Sequence, residues 1–325
     1  MHNTVVPRGA GPLDGRLRRA LPARLLRTAG LWLALLGGVL GSARVRAETI
    51  RVLVWDERQP AQKQAYTNFL GNQIAEYLKT LPRVSVKSVG LDDPGQGLDD
   101  LDGYDVLIWW GHLRHREVKL ERAQEIVRRI KEGKLSLVAL HAAHWSQPFV
   151  EAMKERARQD LEASLPQAER DHLTIHETNL FPQPYTVPHY TDRLTPAVLF
   201  HKTPEDIVDA ELTLPNCCFP AFRADGKPSQ MRVLRLNHPL AEGLPPKFII
   251  EHTEMYNEPF HVPPPDQVVF EERWATGEWF RSGCVWRLGR GHVVYFRPGH
   301  EIYPVYKDPN VLKVIANAVL WLGQR

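Results

Sequence analysis

The chain has 325 residues, of which 43% are hydrophobic and 24% are charged, so it is long enough to bury a full core as an ordinary globular protein. Its formal net charge of +3 comes from an Arg-rich N-terminus, and the rest of the chain is slightly acidic. No basic patch or nucleic-acid-binding motif stands out, so we expect no nucleic-acid partner.

Residues 1–47 have the pattern of a secretory signal peptide. An Arg-rich segment precedes the apolar stretch 29–40, and Val45-Arg46-Ala47 offers small residues at the −3 and −1 positions of a cleavage site. The apolar stretch is too short for a comfortable membrane span. We therefore expect an exported protein, periplasmic or extracellular, whose mature form has no stable membrane span. An uncleaved anchor and a wrongly assigned start codon are the alternatives.

Apolar, strand-like runs alternate with segments of helical periodicity from residue 50 onward. The predicted strands are 50–55, 84–89, 106–110, 135–140 and 292–296, and the predicted helices are 66–81, 118–130 and 311–322. Strand, helix, strand, helix, strand at this spacing indicates βαβ units. The sequence therefore predicts an α/β fold with three layers, in which a mostly parallel sheet has helices on both faces.

The middle of the chain has a different composition. Residues 159–247 are rich in Pro and His and show weak periodicity, as in Phe181-Pro182-Gln183-Pro184-Tyr185. This pattern favours a loop-rich insertion, or a lid over the sheet edge, rather than a second domain. The folded domain is accordingly predicted to span residues 48–325.

Polar side chains follow several of the predicted strands directly. They lie in the segments 109–112, 139–144, 251–260, 281–284 and 297–301. Open α/β sheets place their ligand sites outside the carboxyl ends of the strands, so these segments are expected to form one site.

Three histidines and one carboxylate in these segments suit zinc or a similar divalent ion: His112, His141, His300 and Glu254. Glu301 or Glu57 would orient the imidazoles from behind. No local spacing such as HExxH accompanies the set. A metal-free polar pocket built from the same residues, with some of the histidines bonded within the core, is the alternative.

Glu254 and Glu258 are candidate acids or bases, with His141 beside them. Pro259 favours an irregular loop here, so we expect one carboxylate in the site and the other anchoring the loop. Arg281 would hold Glu301 or a substrate oxygen, or form a buried Arg–Glu pair. The remaining candidates for substrate binding are Trp110, Tyr256, Glu301 and His144, since aromatic rings beside polar groups commonly hold a sugar ring. Aromatic residues at such positions are also common in cores.

The three cysteines, Cys217, Cys218 and Cys284, do not form a disulfide framework, although a bridge from Cys284 to one of the pair is permitted. The segment 289–291 suggests a β-hairpin turn. No GxGxxG or Walker motif exists, so no nucleotide cofactor is expected.

Several ordered motifs carry a family resemblance: 109–112, 140–141, 238–243, 254–260, 277–284 and 298–301. The chain resembles the ThuA-like family of trehalose-utilisation proteins over about residues 50–323. The resemblance implies a class I glutamine amidotransferase-like fold, related to flavodoxin-like folds. Amidotransferases carry a nucleophilic Cys on the turn after a strand, but the strand 135–140 here is followed by His141-Ala142-Ala143-His144. Glutaminase activity is therefore not expected.

The resemblance implies a role in the use of trehalose or a related disaccharide through 3-keto sugars. A keto group acidifies the neighbouring C–H, so a base such as Glu254, assisted by a metal or a pair of histidines, would drive isomerisation or elimination. A non-catalytic carbohydrate-binding or accessory protein and a metal-dependent hydrolase of another class are the alternatives. The expected partner is a small carbohydrate. A homo-oligomer is compatible with the sequence, which does not fix the oligomeric state.

Removal of residues 1–47 can be checked on protein from the native host. Intact mass spectrometry is expected to show a mature N-terminus near Glu48, because the Val45-Arg46-Ala47 site follows the apolar stretch. A soluble, folded product that retains Met1 would contradict export by this route.

Overall fold

The structure is a computed structural model that describes residues 48–179, 186–202 and 208–324. The predicted signal peptide lies outside the described residues. Within the described ranges, no helix is long and apolar enough to cross a membrane.

The described strands are β1 Ile50–Asp56, β2 Val84–Gly90, β3 Val106–Trp110, β4 Ser136–Leu140, β5 Leu173–Thr178, β6 Ala197–Lys202, β7 Val208–Thr213, β8 Ala221–Arg223, β9 Ser229–Val233, β10 Lys247–Ile250, β11 Met255–Asn257, β12 Gln267–Arg273, β13 Trp279–Leu288 and β14 Gly291–Phe296. Nine of them form a sheet at the centre of the domain, in the order β10-β9-β12-β13-β14-β4-β3-β1-β2. The strands β5, β7 and β6 form a separate sheet, and β8 pairs with β11.

Helices cover both faces of this sheet, as the sequence predicts. The helices are α1 Leu70–Lys79, α2 Leu120–Lys131, α3 Gln147–Ala163, α4 Gln167–Arg170 and α5 Pro309–Leu322. Side chains of α1 and α5 pack in one apolar cluster, and side chains of α2 and α3 pack in the other. In α2 the buried residues Ala123, Ile126, Val127 and Ile130 recur every three or four positions, which places them on one face of the helix.

The sheet is mixed rather than mostly parallel, which corrects the sequence-based prediction. Strands β14, β4, β3, β1 and β2 are parallel neighbours, whereas β10, β9, β12, β13 and β14 pair in antiparallel fashion. Between β13 and β14 the chain turns at Gly289, where φ is 58°, and Arg290. A connection this short can only join antiparallel strands. The predicted hairpin at this point is therefore present.

Residues 159–247 contain more regular structure than the predicted insertion. The sheet β5-β7-β6 covers its own small apolar cluster, which includes Leu161, Ala210 and Leu212. Strand β9 belongs to the central sheet, between β10 and β12. Part of the predicted insertion is therefore a strand of the central sheet. A short strand with little apolar periodicity can still join a sheet, because its backbone pairs with its neighbours.

Candidate functional site

Three histidines meet where neighbouring parallel strands end. His112 follows β3, His141 follows β4 and His300 follows β14, and these three strands lie side by side in the sheet. The ring centroids of His112 and His141 are 6.2 Å apart, and each lies 5.6 Å from the ring of His300. The strand ends thus deliver the imidazoles to one place, as expected for an open α/β sheet.

His141 has a left-handed backbone conformation, with φ at 53°. A residue with a β-carbon is strained there, and such strain persists only where the surroundings fix it. Two contacts do so: the carbonyl of His141 accepts a hydrogen bond of 2.9 Å from Tyr295 Oη, and its Nδ1 donates one of 3.2 Å to the Arg297 carbonyl. A carbonyl only accepts, so the second contact places the proton on Nδ1 and leaves Nε2 as an acceptor.

Glu254 lies beside that free nitrogen, with Oε2 3.1 Å from His141 Nε2. Burial raises the pKa of Glu254 and lowers the pKa of His141 well below its usual value. Both shifts favour uncharged groups. Because the Nδ1 proton of His141 is donated to the Arg297 carbonyl, the 3.1 Å contact at Nε2 is a hydrogen bond when Glu254 carries a proton. The hydroxyl of Tyr256 lies 3.4 Å from both ring nitrogens and its ring stacks on the imidazole.

Arg297 connects the two members of this pair. Its carbonyl accepts the hydrogen bond from His141, while its guanidinium donates to the carbonyl of Glu254 and, at 2.9 Å, to Oγ1 of Thr253. The guanidinium also forms a bidentate ion pair with Glu272, and both side chains are fully buried. Both Glu272 oxygens accept a further hydrogen bond, from Ser229 and Ser282. Both carboxylate oxygens of Glu272 and all three guanidinium nitrogens of Arg297 therefore have hydrogen-bond partners, which a buried ion pair requires.

Arg297 and Glu272 were not assigned a role from the sequence. The sequence does contain a pattern that could have identified Glu272. It lies two positions after Phe270 and therefore on the same, buried face of the strand, where an ionised group needs a partner. Nothing in the local pattern identified that partner as Arg297.

The second part of the site is a cluster of His112, His300 and Glu301. Both carboxylate oxygens of Glu301 lie 3.0 Å from His112 Nδ1, and one lies 3.3 Å from His300 Nδ1. Burial raises the pKa of Glu301, but the hydrogen bond and charge of His112 outweigh burial and lower the pKa to about 2. Burial alone would lower the pKa of His112, yet its hydrogen bond to Glu301 raises it.

This cluster is suited to a metal ion. One ligand atom from each of His112, His300 and Glu301 lies within 4.8 Å of the others. Two imidazoles and one carboxylate form a common donor set for zinc and for other divalent ions. These three residues differ from the metal ligands predicted from the sequence, which were His112, His141, His300 and Glu254. Glu301 takes the place of Glu254 and His141, because Oε2 of Glu254 and Nε2 of His141 contact each other.

Glu57 supports the loop after β3 rather than an imidazole. Its carboxylate accepts hydrogen bonds from the backbone N–H of His112 at 2.7 Å and of Leu113 at 3.0 Å. The predicted role of Glu57 as a partner of an imidazole ring is thereby corrected. The carboxylate fixes the position of the His112 backbone instead.

Arg281 and Glu258 form a half-buried pair with each other. The guanidinium contacts both oxygens of Glu258, at 2.8 and 3.0 Å, and donates to the carbonyl of Phe260. The carboxylate is thus engaged by an arginine, which argues against its role as an acid or base. Of the alternatives for Arg281, the structure has the Arg–Glu pair, with Glu258 rather than Glu301 as the partner. Glu258 anchors the loop, and Glu254 is the carboxylate in the site.

Of the remaining predicted residues, Trp110 is fully buried and packs in the core, so its side chain is not exposed to a ligand. His144 is buried, with Nδ1 2.6 Å from the Cys217 carbonyl, and burial lowers its pKa to about 3. A pocket of about 250 Å³ opens at this edge, and its lining includes His112, His144, Glu254 and Tyr256.

All three cysteines are buried and unbridged. Burial raises the pKa of Cys284 to about 12 and raises the pKa values of Cys217 and Cys218 as well. A thiol with such a pKa is a poor nucleophile at neutral pH.

Comparison with known proteins decides the family. The family model described as trehalose utilisation matches residues 51–322. The chain belongs to the ThuA family. A solved ThuA-like protein from Parabacteroides merdae superimposes with a TM-score of 0.54 at 12% identity, covering 85% of this chain and 90% of its own. One from Bacteroides uniformis gives a TM-score of 0.46 at 13% identity, with 87% and 94% covered. At such identities the likeness concerns the fold alone. No curated protein matches this ThuA-family chain.

The buried ion pair can be tested by replacing one partner and then both. Arg297→Met should lower the free energy of unfolding by about 3–5 kcal/mol, because it leaves the Glu272 carboxylate buried and unpaired. The double variant with Glu272→Leu should recover part of that loss. Urea denaturation measures both, and Arg128→Met, in an exposed ion pair, should lower the free energy of unfolding far less. A single variant as stable as the wild type would contradict the assignment.

Proposed function

We propose that this ThuA-family protein performs acid–base chemistry on an oxidised sugar, as part of the use of trehalose or a related disaccharide. The observation that carries the proposal is the pair of Glu254 and His141, whose facing atoms are 3.1 Å apart beside a pocket. Two groups that share one proton can act in turn as acid and base. Family membership supports the sugar, since the matching family is one of trehalose utilisation.

The proposed step is elimination from a 3-keto-glycoside. A C–H bond next to the keto group is acidic, and Glu254 takes up that proton on its free oxygen while passing its own proton to His141 Nε2. The C–O bond to the leaving group then breaks as the C=C bond forms. The proton returns from His141 through Glu254 to the leaving oxygen, so both residues recover their starting state. Tyr256 adds a hydroxyl beside the imidazole.

We further propose that His112, His300 and Glu301 hold a divalent ion, for which zinc is the first candidate. When bound, such an ion supplies Lewis-acid polarisation of a carbonyl oxygen. The three side chains are already within reach of one another, and Glu57 holds the backbone of His112. Binding would require His112 to release the proton that it shares with Glu301.

Two finer assignments belong to the same proposal. The first is a class I glutamine amidotransferase-like fold in which His141 occupies the turn that carries the nucleophilic thiol in amidotransferases. Its left-handed φ of 53° after a buried strand supports this placement. The second is export through residues 1–47, with action in the periplasm or outside the cell.

Replacement of the central carboxylate tests the chemistry. Glu254→Gln should lower turnover of a 3-keto disaccharide by about 10²–10⁴-fold, because an amide cannot transfer the proton. Glu251→Gln, at an exposed position three residues earlier, is the matched control and should retain full activity. Release of free sugar, measured by chromatography, gives the rate.

The wild-type protein decides between the proposed function and its alternatives in the same assay. Binding of the 3-keto disaccharide without any chemical change would indicate an accessory binding protein. Cleavage of ordinary esters or unoxidised glycosides would indicate a hydrolase of another class. Either result would contradict the proposed elimination.

Metal binding is tested separately by elemental analysis after dialysis against zinc and removal of the excess. The wild type is expected to retain about one ion per chain, as one donor cluster implies. His300→Ala and Glu301→Gln should lose it, and His252→Ala, an exposed histidine, should not. His141→Ala distinguishes the two donor sets, because it should retain the ion if only the three-residue cluster binds. A wild type without bound zinc would contradict the metal proposal.

A further inference from the structure

Two large apolar side chains are exposed at the mouth of the pocket. Leu113 is 65% exposed and Phe222 is 50% exposed. Both line the pocket of about 250 Å³ that His112, Glu254 and Tyr256 also line. The pocket therefore combines polar side chains, which suit the reacting part of a ligand, with apolar side chains at its mouth, which the proposed acid–base chemistry does not use.

The backbones that carry these two side chains are fixed by specific contacts. The N–H of Leu113 donates to both oxygens of the buried Glu57 carboxylate, at 3.0 Å each. Phe222 lies in β8, directly opposite Tyr256 of β11 in the strand register. The next residue, Arg223, is held by ion pairs of 2.7 Å to Glu278 and to Asp225.

Exposed apolar area beside a pocket is unfavourable in water, and covering it with a ligand is favourable. Ligand pockets combine apolar walls with a few polar groups that fix orientation. Leu113 and Phe222 supply such walls from two distant parts of the chain, which are held in place independently of any ligand.

We infer that Leu113 and Phe222 form a binding subsite for the apolar face of the group on the far side of the glycosidic bond, an aglycone or a second sugar ring. This inference rests on the proposed function, in which the oxidised ring occupies the polar part of the pocket. The protein then prefers glycosides with a flat or apolar leaving group over those with a methyl group. Phe222 provides a ring on which C–H groups or an aromatic aglycone can stack.

Binding of unoxidised glycosides tests the subsite without requiring turnover. Titration calorimetry compares p-nitrophenyl glucoside with methyl glucoside on the full mature chain. The wild type is expected to bind the aryl glycoside about tenfold more tightly, and Phe222→Ala or Leu113→Ala should reduce that preference to about two- or threefold. Affinity for methyl glucoside should change little in either variant.

Matched controls replace the same residue types at exposed positions that do not line this pocket. Phe200→Ala, 41% exposed in β6, and Leu236→Ala, 52% exposed, should keep the wild-type preference. Thermal unfolding of each variant confirms that it is folded.

Four results would overturn the subsite: failure of the wild type to bind either glycoside, no preference in the wild type, an undiminished preference in both pocket variants, or an equal loss in the controls. If the preference behaves as expected but the wild type leaves a 3-keto-glycoside unchanged, the subsite stands and the proposed elimination fails. The two ideas are therefore separable.

Discussion

The fully buried ion pair of Arg297 and Glu272 fixes the geometry on which the candidate site depends. An unpaired charge at this depth would be strongly destabilising, so the two side chains hold each other and their hydroxyl partners in one arrangement. The backbone carbonyl of the same arginine accepts a hydrogen bond from Nδ1 of His141, and its guanidinium donates one to the carbonyl of Glu254. One residue at the end of β14 therefore sets the tautomer of the histidine and the position of the carboxylate beside it.

The site has two parts, and they differ in whether the interactions between the groups outweigh the effect of burial on their pKa values. At His141 and Glu254 desolvation is the largest effect, so the pKa of the histidine is lowered and the pKa of the carboxyl group is raised. Both shifts favour the neutral forms, because the nearby charges are too weak to outweigh desolvation. At His112 and Glu301 the hydrogen bond between the two groups outweighs desolvation, which raises the pKa of His112 and lowers that of Glu301, and both shifts favour the charged forms. A neutral proton-sharing pair next to a charged donor cluster suits acid–base chemistry on a polarised carbonyl, which is why the proposed function assigns different roles to the two parts.

Positions in the mixed sheet explain how this arrangement arises. The parallel half supplies the three histidines from adjacent strand ends, while the antiparallel half supplies Glu272 and Ser282 on inward-facing positions of β12 and β13. The loop between β10 and β11 carries Thr253 and Glu254 to Arg297. Both halves of the sheet are therefore needed: one for the imidazoles and the other for the groups that hold the acid.

The amino-acid sequence by itself determined the parallel half of the sheet, the helices α1, α2 and α5 and the strand-end placement of His112, His141 and His300, because burial of continuous apolar runs and helical periodicity are local patterns. The helix α3 was not predicted and comes from the structure. The sequence also indicated that one of Glu254 and Glu258 would only anchor a loop. Only the tertiary structure decided which one, since Arg281 pairs with Glu258 and not with Glu301. It likewise decided the pairing of Arg297 with Glu272, the role of Glu57 and the antiparallel half of the sheet. Charged side chains carry no local information about their partners: any arginine can pair with any carboxylate, and the choice follows from which strands the completed fold brings together.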